Sequence, residues 1–395
     1  MPYGALWQVN ASSPALTRLG DSASWLPGAA AIPNFLQVMP YSGVMRCNLL
    51  DNGTISALYG DRCYTDYDVA TWGQCMTHIP SFCTYTDTTV ANKVAYWVGQ
   101  PEDTIQLQNS TNYTLTLEDL NPAFKAKGAV KDRVFMSSYQ GYNNNGLLES
   151  VAGFRPSHDS MQNARTHAQA HGAGWSLVTI QTLSAIQFLY VTMLANMDSV
   201  SAVGQGITNM AFSTTVEKAA ITGLTASLGN ATGQSAAFLN ADGGQSQSVS
   251  FMGMENLWGD CYRFIEGIII GVGANYAIYI TPDNAPPAGG YSFTNPTGYD
   301  LTGITPYVGS VFVIQTFDYS QPNWKWTFIP ATASGWDITS NTTDYTEGCP
   351  TGAHIMMQGE SWNSLGGQGI WGNSMTNTYS YADVRHAGRL QYVPQ

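Results

Sequence analysis

His167 and His171 stand four residues apart, with His158 just upstream. On a helix this spacing places two imidazoles on one face, where they can share a metal ion. The competing reading puts His167 on the helix flank and has His171 close an apolar stripe as a core side chain. Six cysteines (Cys47, Cys63, Cys75, Cys83, Cys261 and Cys349) show no Cys-x-x-Cys spacing. A zinc site needs close ligand pairs, so free thiols acting as small buried hydrophobes are expected instead. No Ser-His-Asp arrangement or nucleophile elbow is recognisable. Gly366-Gly367-Gln368-Gly369 lacks the Lys and the strand-to-helix setting of a phosphate cradle. The last forty residues carry another kind of chemistry. Ser361-Trp362-Asn363-Ser364, Trp371-Gly372-Asn373-Ser374 and Asn377-Thr378-Tyr379-Ser380-Tyr381 mix Trp and Tyr with Ser, Asn and Gly. Antibody paratopes use the same mixture: rigid rings give contact area at low entropic cost, and small polar groups adapt their hydrogen bonds. Trp362, Asn363, Trp371, Asn373, Asn377, Tyr379 and Tyr381 are therefore the candidate ligand-binding residues. Trp362 and Trp371 also suit the core, because Trp is mostly buried. The loop Asn323-Trp324-Lys325-Trp326 is the next candidate surface.

The elements that must position these residues fall into two stretches. From residue 1 to 132 strand signals dominate. Met45 to Leu50, Asp51-Asn52-Gly53-Thr54 and Ile55 to Tyr59 read as strand, turn and strand, because Asn-Gly accepts the positive φ of a tight turn. Gln74 to Tyr85 is extended, with Pro80 marking a sheet edge or bulge, and Thr111 to Leu117 alternates as a half-buried strand does. After a boundary near Lys131, Arg133 to Tyr139 reads as a strand and Gly141 to Gly146 as a loop. Asp159-Ser160-Met161-Gln162 then has the form of a capping box. Met161, Ala164, Ala168 and His171 recur at helical spacing behind it, up to Gly172–Gly174. A second helix from Gln181 or Thr182 lines Leu183, Ile186, Leu189, Tyr190 and Met193 along one face. Short strands and long loops follow Asp198, and Ile265 to Val272 reads as a buried strand. The predicted class is α+β, with a β-rich module over 1–132 and a second domain over 133–395.

Composition narrows the function classes. Of the 395 residues, 44% are hydrophobic and 12% aromatic, which marks a folded chain. Only 11% are charged, against ~25% in typical soluble domains. A surface wetted by hydroxyls and amides suits a permanent assembly or an adhesin better than a metabolic enzyme. The net charge of −12, without any Lys/Arg run, makes nucleic acid an unexpected partner. No stretch approaches the ~20 apolar residues of a membrane span, so no membrane insertion is expected. Met1 to Trp7 lacks the regions of a signal peptide, which predicts synthesis in a cytosol.

Three segments of the second stretch resemble the C-type-lectin-like fold of formylglycine-generating-enzyme-type proteins. Ser160 to Arg165, continuing through Gly174 to Thr179 and Ala185 to Tyr190, resembles its two-helix opening. Gly253-Met254-Glu255-Asn256-Leu257-Trp258-Gly259-Asp260 resembles its glycine-turn signature, although Asp260 stands where Asn is usual and Cys261 to Phe264 replace a hydrophobic-Trp-Glu-Trp run. Gly359-Glu360-Ser361-Trp362-Asn363, closing through His386 to Tyr392, resembles its Gly-Gly-Ser-Trp turn and terminal strand. In the first stretch, Arg46 to Thr54, Gly73 to Phe82 and Leu120 to Phe124 are similar to segments that precede lectin-like domains in phage tail-tip and receptor-binding proteins.

This resemblance implies a bacteriophage virion protein, made in the host cytoplasm and carried on the tail or capsid exterior. It implies attachment to a host cell-surface receptor, glycan or protein, contacts with other virion proteins, and a homotrimer. An alternative is a structural virion component such as a capsid decoration, head fibre or baseplate part. An oxidase of the formylglycine-generating type needs a reactive cysteine pair, and only Cys261 and Cys349 lie in this half, so no enzyme activity is expected. The Glu-Pro-Asn, Gln-Pro-Asp and Trp-Asn-Asp triplets of calcium-dependent lectins do not occur. No cofactor is expected, while calcium held by loop carbonyls and Asp242 or Asp260 stays open.

Overall fold

Asn52-Gly53 closes a hairpin between the strands Met45–Leu49 and Ile55–Leu58, with Cys47 opposite Leu58. Gly53 has φ +82°, and a Cβ there would lie 2.1 Å from the Tyr392 hydroxyl oxygen. Only glycine meets both demands, and the turn is thereby keyed to the far end of the chain. The hairpin forms one side of an antiparallel sheet ordered Trp175–Leu177, Leu390–Tyr392, Arg133–Ser137, Gln74–Pro80, Met45–Leu49 and Ile55–Leu58. The computed structural model describes residues 1–9, 11, 13–272, 277–287, 296–304, 307, 312–333, 342, 344–348, 352–364 and 369–395. It is a β-rich α+β chain with few helices.

A second sheet is built from Thr17–Gly20, Tyr3–Gln8, Lys93–Gly99 and Cys83–Asp87. The largest sheet centres on Tyr262–Val272, flanked by His354–Gln358 on one side and Ala382–Ala387 on the other. His158–Ser160 continues it beyond Ala382–Ala387, and Asn373–Ser374, Tyr345–Glu347 and Phe312–Phe317 continue it beyond His354–Gln358. The expected buried strand at Ile265 to Val272 thus lies inside this central strand.

Both expected helices form. The first spans Met161–Gln169 and is capped one residue later than the Asp159–Gln162 box implies: the Ser160 hydroxyl accepts from the Asn163 N–H at 3.2 Å. The second spans Ile180–Leu194, capped by Thr179 and ended by Ala195 at φ +48°. The single apolar face expected for it is corrected: all fifteen residues are buried. No charged side chain occurs in Ile180–Leu194, so the helix can be covered all round. Both of its glutamine amides donate inside, Gln181 Nε2 to the Thr281 carbonyl at 2.8 Å and Gln187 Nε2 to that of Ile370 at 3.2 Å.

Three further expectations change. Gly141 to Gly146 is a hairpin rather than a loop, pairing Tyr142–Asn144 with Leu147–Glu149. Its turn residues Asn145 and Gly146 both have positive φ, as a tight hairpin requires. Pro80 ends an interior strand instead of marking an edge, facing Arg133. The strand expected over Thr111 to Leu117 contracts to Asn112–Thr114. The interior does not divide at residue 132: Arg133–Ser137 is hydrogen-bonded to Gln74–Pro80, and one hydrophobic cluster runs from Tyr3 through the long helix to Val393. Among the described residues no helix is long and apolar enough to cross a membrane.

Candidate ligand-binding surface

The seven candidate residues separate sharply by depth. Trp362 is 0% exposed and packs in a cluster with Cys261 and Ala387. Trp371 is 1% exposed, donates its indole N–H to the Met197 carbonyl at 2.7 Å, and lies 4.8 Å from the Phe328 ring. Asn373 is wholly buried, accepting from Thr346 Oγ1 at 2.8 Å and donating to the Trp371 carbonyl at 3.1 Å. These three are corrected from surface to core. For Trp371 and Asn373 the reason is local: the Trp371 and Gly372 N–H groups both donate to the buried carboxylate of Asp344, which draws the loop inward. Trp362 is held separately, its N–H donating to the Asp260 carbonyl at 2.9 Å. Burial pushes the Asp344 carboxyl well above its usual range.

Asn363, Asn377 and Tyr379 are half-buried. Asn363 Oδ1 accepts from Ser361 Oγ at 2.7 Å, and Asn377 Nδ2 lies 4.0 Å from Met357 Sδ. The Tyr379 hydroxyl bonds Arg165, and its ring packs on the core. Tyr381 alone of the seven is properly exposed, at 43%.

Around Tyr381 the structure assembles a surface that the sequence did not announce. Asp383 and Arg385 alternate along the strand Ala382–Ala387 and form a fork, with Nε to Oδ1 and Nη2 to Oδ2 both at 2.8 Å. Bidentate geometry fixes the guanidinium plane. The Tyr381 hydroxyl donates to the same carboxylate at 3.3 Å. The Arg385 guanidinium carbon sits 5.0 Å from the Phe212 ring centroid, a cation–π contact with a ring that is 66% exposed. Burial raises the Asp383 carboxyl, but its hydrogen bonds to Arg385 outweigh that and leave it below the usual range. Arg385 is raised by the same bonds. Beneath the patch, His386 touches the rings of Tyr381, Tyr262 and Phe264 at 5.7, 6.0 and 5.7 Å. Burial lowers its imidazole to about 4, so it supports Tyr381 as a neutral side chain. Phe212 was missed because it lies in a polar loop with no periodicity to flag it, some 170 residues from Arg385 in sequence.

The other chemical candidates are held by separate partners. His171 lies between Asp51, 2.8 Å from Nδ1, and the Leu148 carbonyl, 2.8 Å from Nε2; His167 faces Asp159 at 3.3 Å, and His158 faces Glu217 at 2.9 Å. Asp242 pairs with Lys218 at 2.7 Å and accepts from the Ala211 N–H, while Asp260 accepts from the Ala220 N–H at 2.8 Å. Among the described residues no three His, Cys, Asp or Glu side chains converge as a metal site. Cys47, Cys63, Cys75, Cys83 and Cys261 are unpaired. Cys261 is buried, and burial pushes its thiol well above the ordinary range, against thiolate chemistry. Cys349 and the glycines 366–367 lie outside the described residues. No known family model matches the chain, and no curated protein matches it.

Proposed function

We propose that this chain is a phage virion protein, a receptor-binding or tail-tip adhesin with a C-type-lectin-like second half, acting as a homotrimer on the particle exterior and catalysing nothing. The observation that carries the binding role is the patch of Phe212, Tyr381, Asp383 and Arg385. Two exposed rings flank a guanidinium already oriented by its own carboxylate. Aromatic and Arg side chains in rigid settings are the usual anchors of recognition surfaces, and a prearranged Arg loses little freedom on binding. The scarcity of charge supports a particle protein, since large contacts then desolvate few ions.

Adsorption of the purified chain to host cells tests this reading. The variant carrying Phe212→Ala, Tyr381→Ala and Arg385→Ala should lose adsorption by about thirtyfold or more, as a loss of ~2 kcal/mol implies. Because Arg385→Ala leaves the buried Asp383 carboxylate unpaired, the triple variant should also lose stability. Phe212→Ala alone, at a ring that is 66% exposed, should weaken adsorption with its thermal midpoint nearly unchanged. Wild-type adsorption by the triple variant would overturn the assignment.

A second reading, a structural virion component, draws on a different observation. Residues 22 to 45 contain no charged side chain, yet Leu26, Leu36 and Met39 are 64%, 40% and 50% exposed. Such apolar exposure suits contact with neighbouring virion proteins. Locating the chain in intact particles separates a free tip from an embedded ring.

A further inference from the structure

A second surface, made by other elements, has the shape and chemistry of a small-molecule site. The strand Cys83–Asp87, the turn around Glu118–Lys125 and the loop Pro322–Trp326 enclose a cleft of about 570 Å³, within the range of ligand pockets. Its walls carry the rings of Tyr85, Trp324 and Trp326. Trp324 and Trp326 lie 5.8 Å apart, and Tyr85 is backed by Tyr113 at 4.6 Å. All four are half-buried, and Tyr85, Trp324 and Trp326 line the cleft.

The platform is rigid before any ligand arrives. Thr86 Oγ1 donates to the Lys325 carbonyl at 2.8 Å, Lys325 Nζ to Thr88 Oγ1 at 2.7 Å, and Ser184 Oγ of the long helix to the Trp326 carbonyl. The Trp326 indole N–H closes on the Asn323 carbonyl at 3.0 Å. The loop is therefore tied to the sheet and to the helix at once, and little conformational freedom remains to lose on binding. Two polar groups on this loop keep their capacity. The Trp324 indole N–H and the exposed Asn323 amide make no hydrogen bond among the described residues.

The lining carries both signs, Lys125 and Lys325 beside Glu118, Asp119 and Asp300. Both lysine amines are already held, by the Glu118 carbonyl and Thr88 Oγ1, so no single-sign field dominates the cleft. Its rings and polar rim suit an uncharged molecule with flat apolar faces and hydroxyls. We infer that the cleft lined by Tyr85, Trp324 and Trp326 binds an uncharged pyranose oligosaccharide, its C–H faces stacked on the tryptophans and its hydroxyls bonded to Asn323 and the Trp324 N–H. This site is independent of the adhesin assignment, because soluble sugars probe it without cells.

Calorimetric titration of the full chain with cellotriose, maltotriose, chitotriose and a galactan-derived trisaccharide tests the inference, alongside choline as a cationic probe. At least one trisaccharide should bind at millimolar or tighter dissociation constant, with little dependence on salt. Trp324→Ala and Trp326→Ala should each weaken it by about tenfold or more, and Trp324→Phe, which keeps a ring but loses the indole N–H, should weaken it by about threefold to tenfold. Asn323→Ala, at an exposed position that leaves the packing intact, should weaken it by about threefold to tenfold. Tyr381→Ala should change nothing. The proposal is overturned if no trisaccharide binds at about 10 mM, if binding survives in both alanine variants of the tryptophans, or if choline binds in place of the sugars.

Discussion

Asp260 shows how much one atom can matter at the residue scale. It sits at φ +69° with its carboxyl buried, and burial raises that carboxyl to about 7. A folded value above the unfolded one of about 3.9 means the stabilising contribution is complete below pH ~4 and is lost as pH rises towards 7. Asn tolerates the same backbone angle and can still accept from the Ala220 N–H. The variant Asp260→Asn should therefore match wild type near pH 4 and exceed it at pH 8, by on the order of 2–4 kcal/mol. Denaturant unfolding at both pH values measures this, and parallel profiles would sink it. The sequence marked Asp260 as the departure from an expected Asn, so the position was legible while its burial was not. The aromatic candidates show the converse. Residue type nominated Trp362, Trp371 and Tyr381 alike, but depth depends on long-range anchors, such as Asp344 for Trp371 and the Asp260 carbonyl for Trp362, and no local pattern records those. Phe212 became part of the patch only through a partner distant in sequence.

Elements were read with more success than their surroundings. Both helices formed, because cap chemistry and periodicity are local: Ser160 and Thr179 each accept from an N–H three residues on. What failed was the number of faces buried. A stripe of Leu183, Ile186 and Leu189 satisfies an amphipathic reading, yet the lack of charge from Ile180 to Leu194 was the better signal. The two readings part at Ser184, which lies off the stripe and is 0% exposed. Ser184→Asp should destabilise the fold by about 3–5 kcal/mol, the usual consequence of an unpaired buried charge, comparable to Leu189→Ala at about 2–5 kcal/mol. A thermal midpoint for Ser184→Asp close to wild type would restore the one-faced helix. The hairpin over Tyr142–Glu149 went unread for a related reason: three asparagines suggested a loop, although Asn145-Gly146 carries the same turn signal that located the hairpin at Asn52-Gly53.

For the whole molecule, the change of pattern near Lys131 is real in the sequence but does not separate two interiors. Long-range pairing decides this, and periodicity is blind to it. Arg46 of the first stretch donates to the Gly253 carbonyl at 2.7 Å, and Arg18 to that of Thr192 at 2.9 Å. Such buried guanidiniums bolt distant segments together through backbone oxygens. A fragment of residues 133–395 would leave Arg133–Ser137 without Gln74–Pro80 and strip the long helix of the Lys93–Gly99 strand it packs on. Expressed alone, that fragment should give no dispersed amide spectrum and should be cleaved rapidly by protease. A well-folded fragment would show that the second stretch is autonomous after all.

The strand Leu390–Tyr392 lies between Arg133–Ser137 and Trp175–Leu177, and this order has a consequence for biosynthesis. Both neighbours leave the ribosome long before the strand that joins them. Roughly 210 residues separate Leu177 from Leu390, which at about 5–20 residues per second takes on the order of 10–40 s. For that interval two strand edges stand open on every nascent chain, facing the nascent chains of neighbouring ribosomes on the same message. Faster elongation shortens this exposure, so translation speed itself becomes a determinant of how much protein reaches the native state.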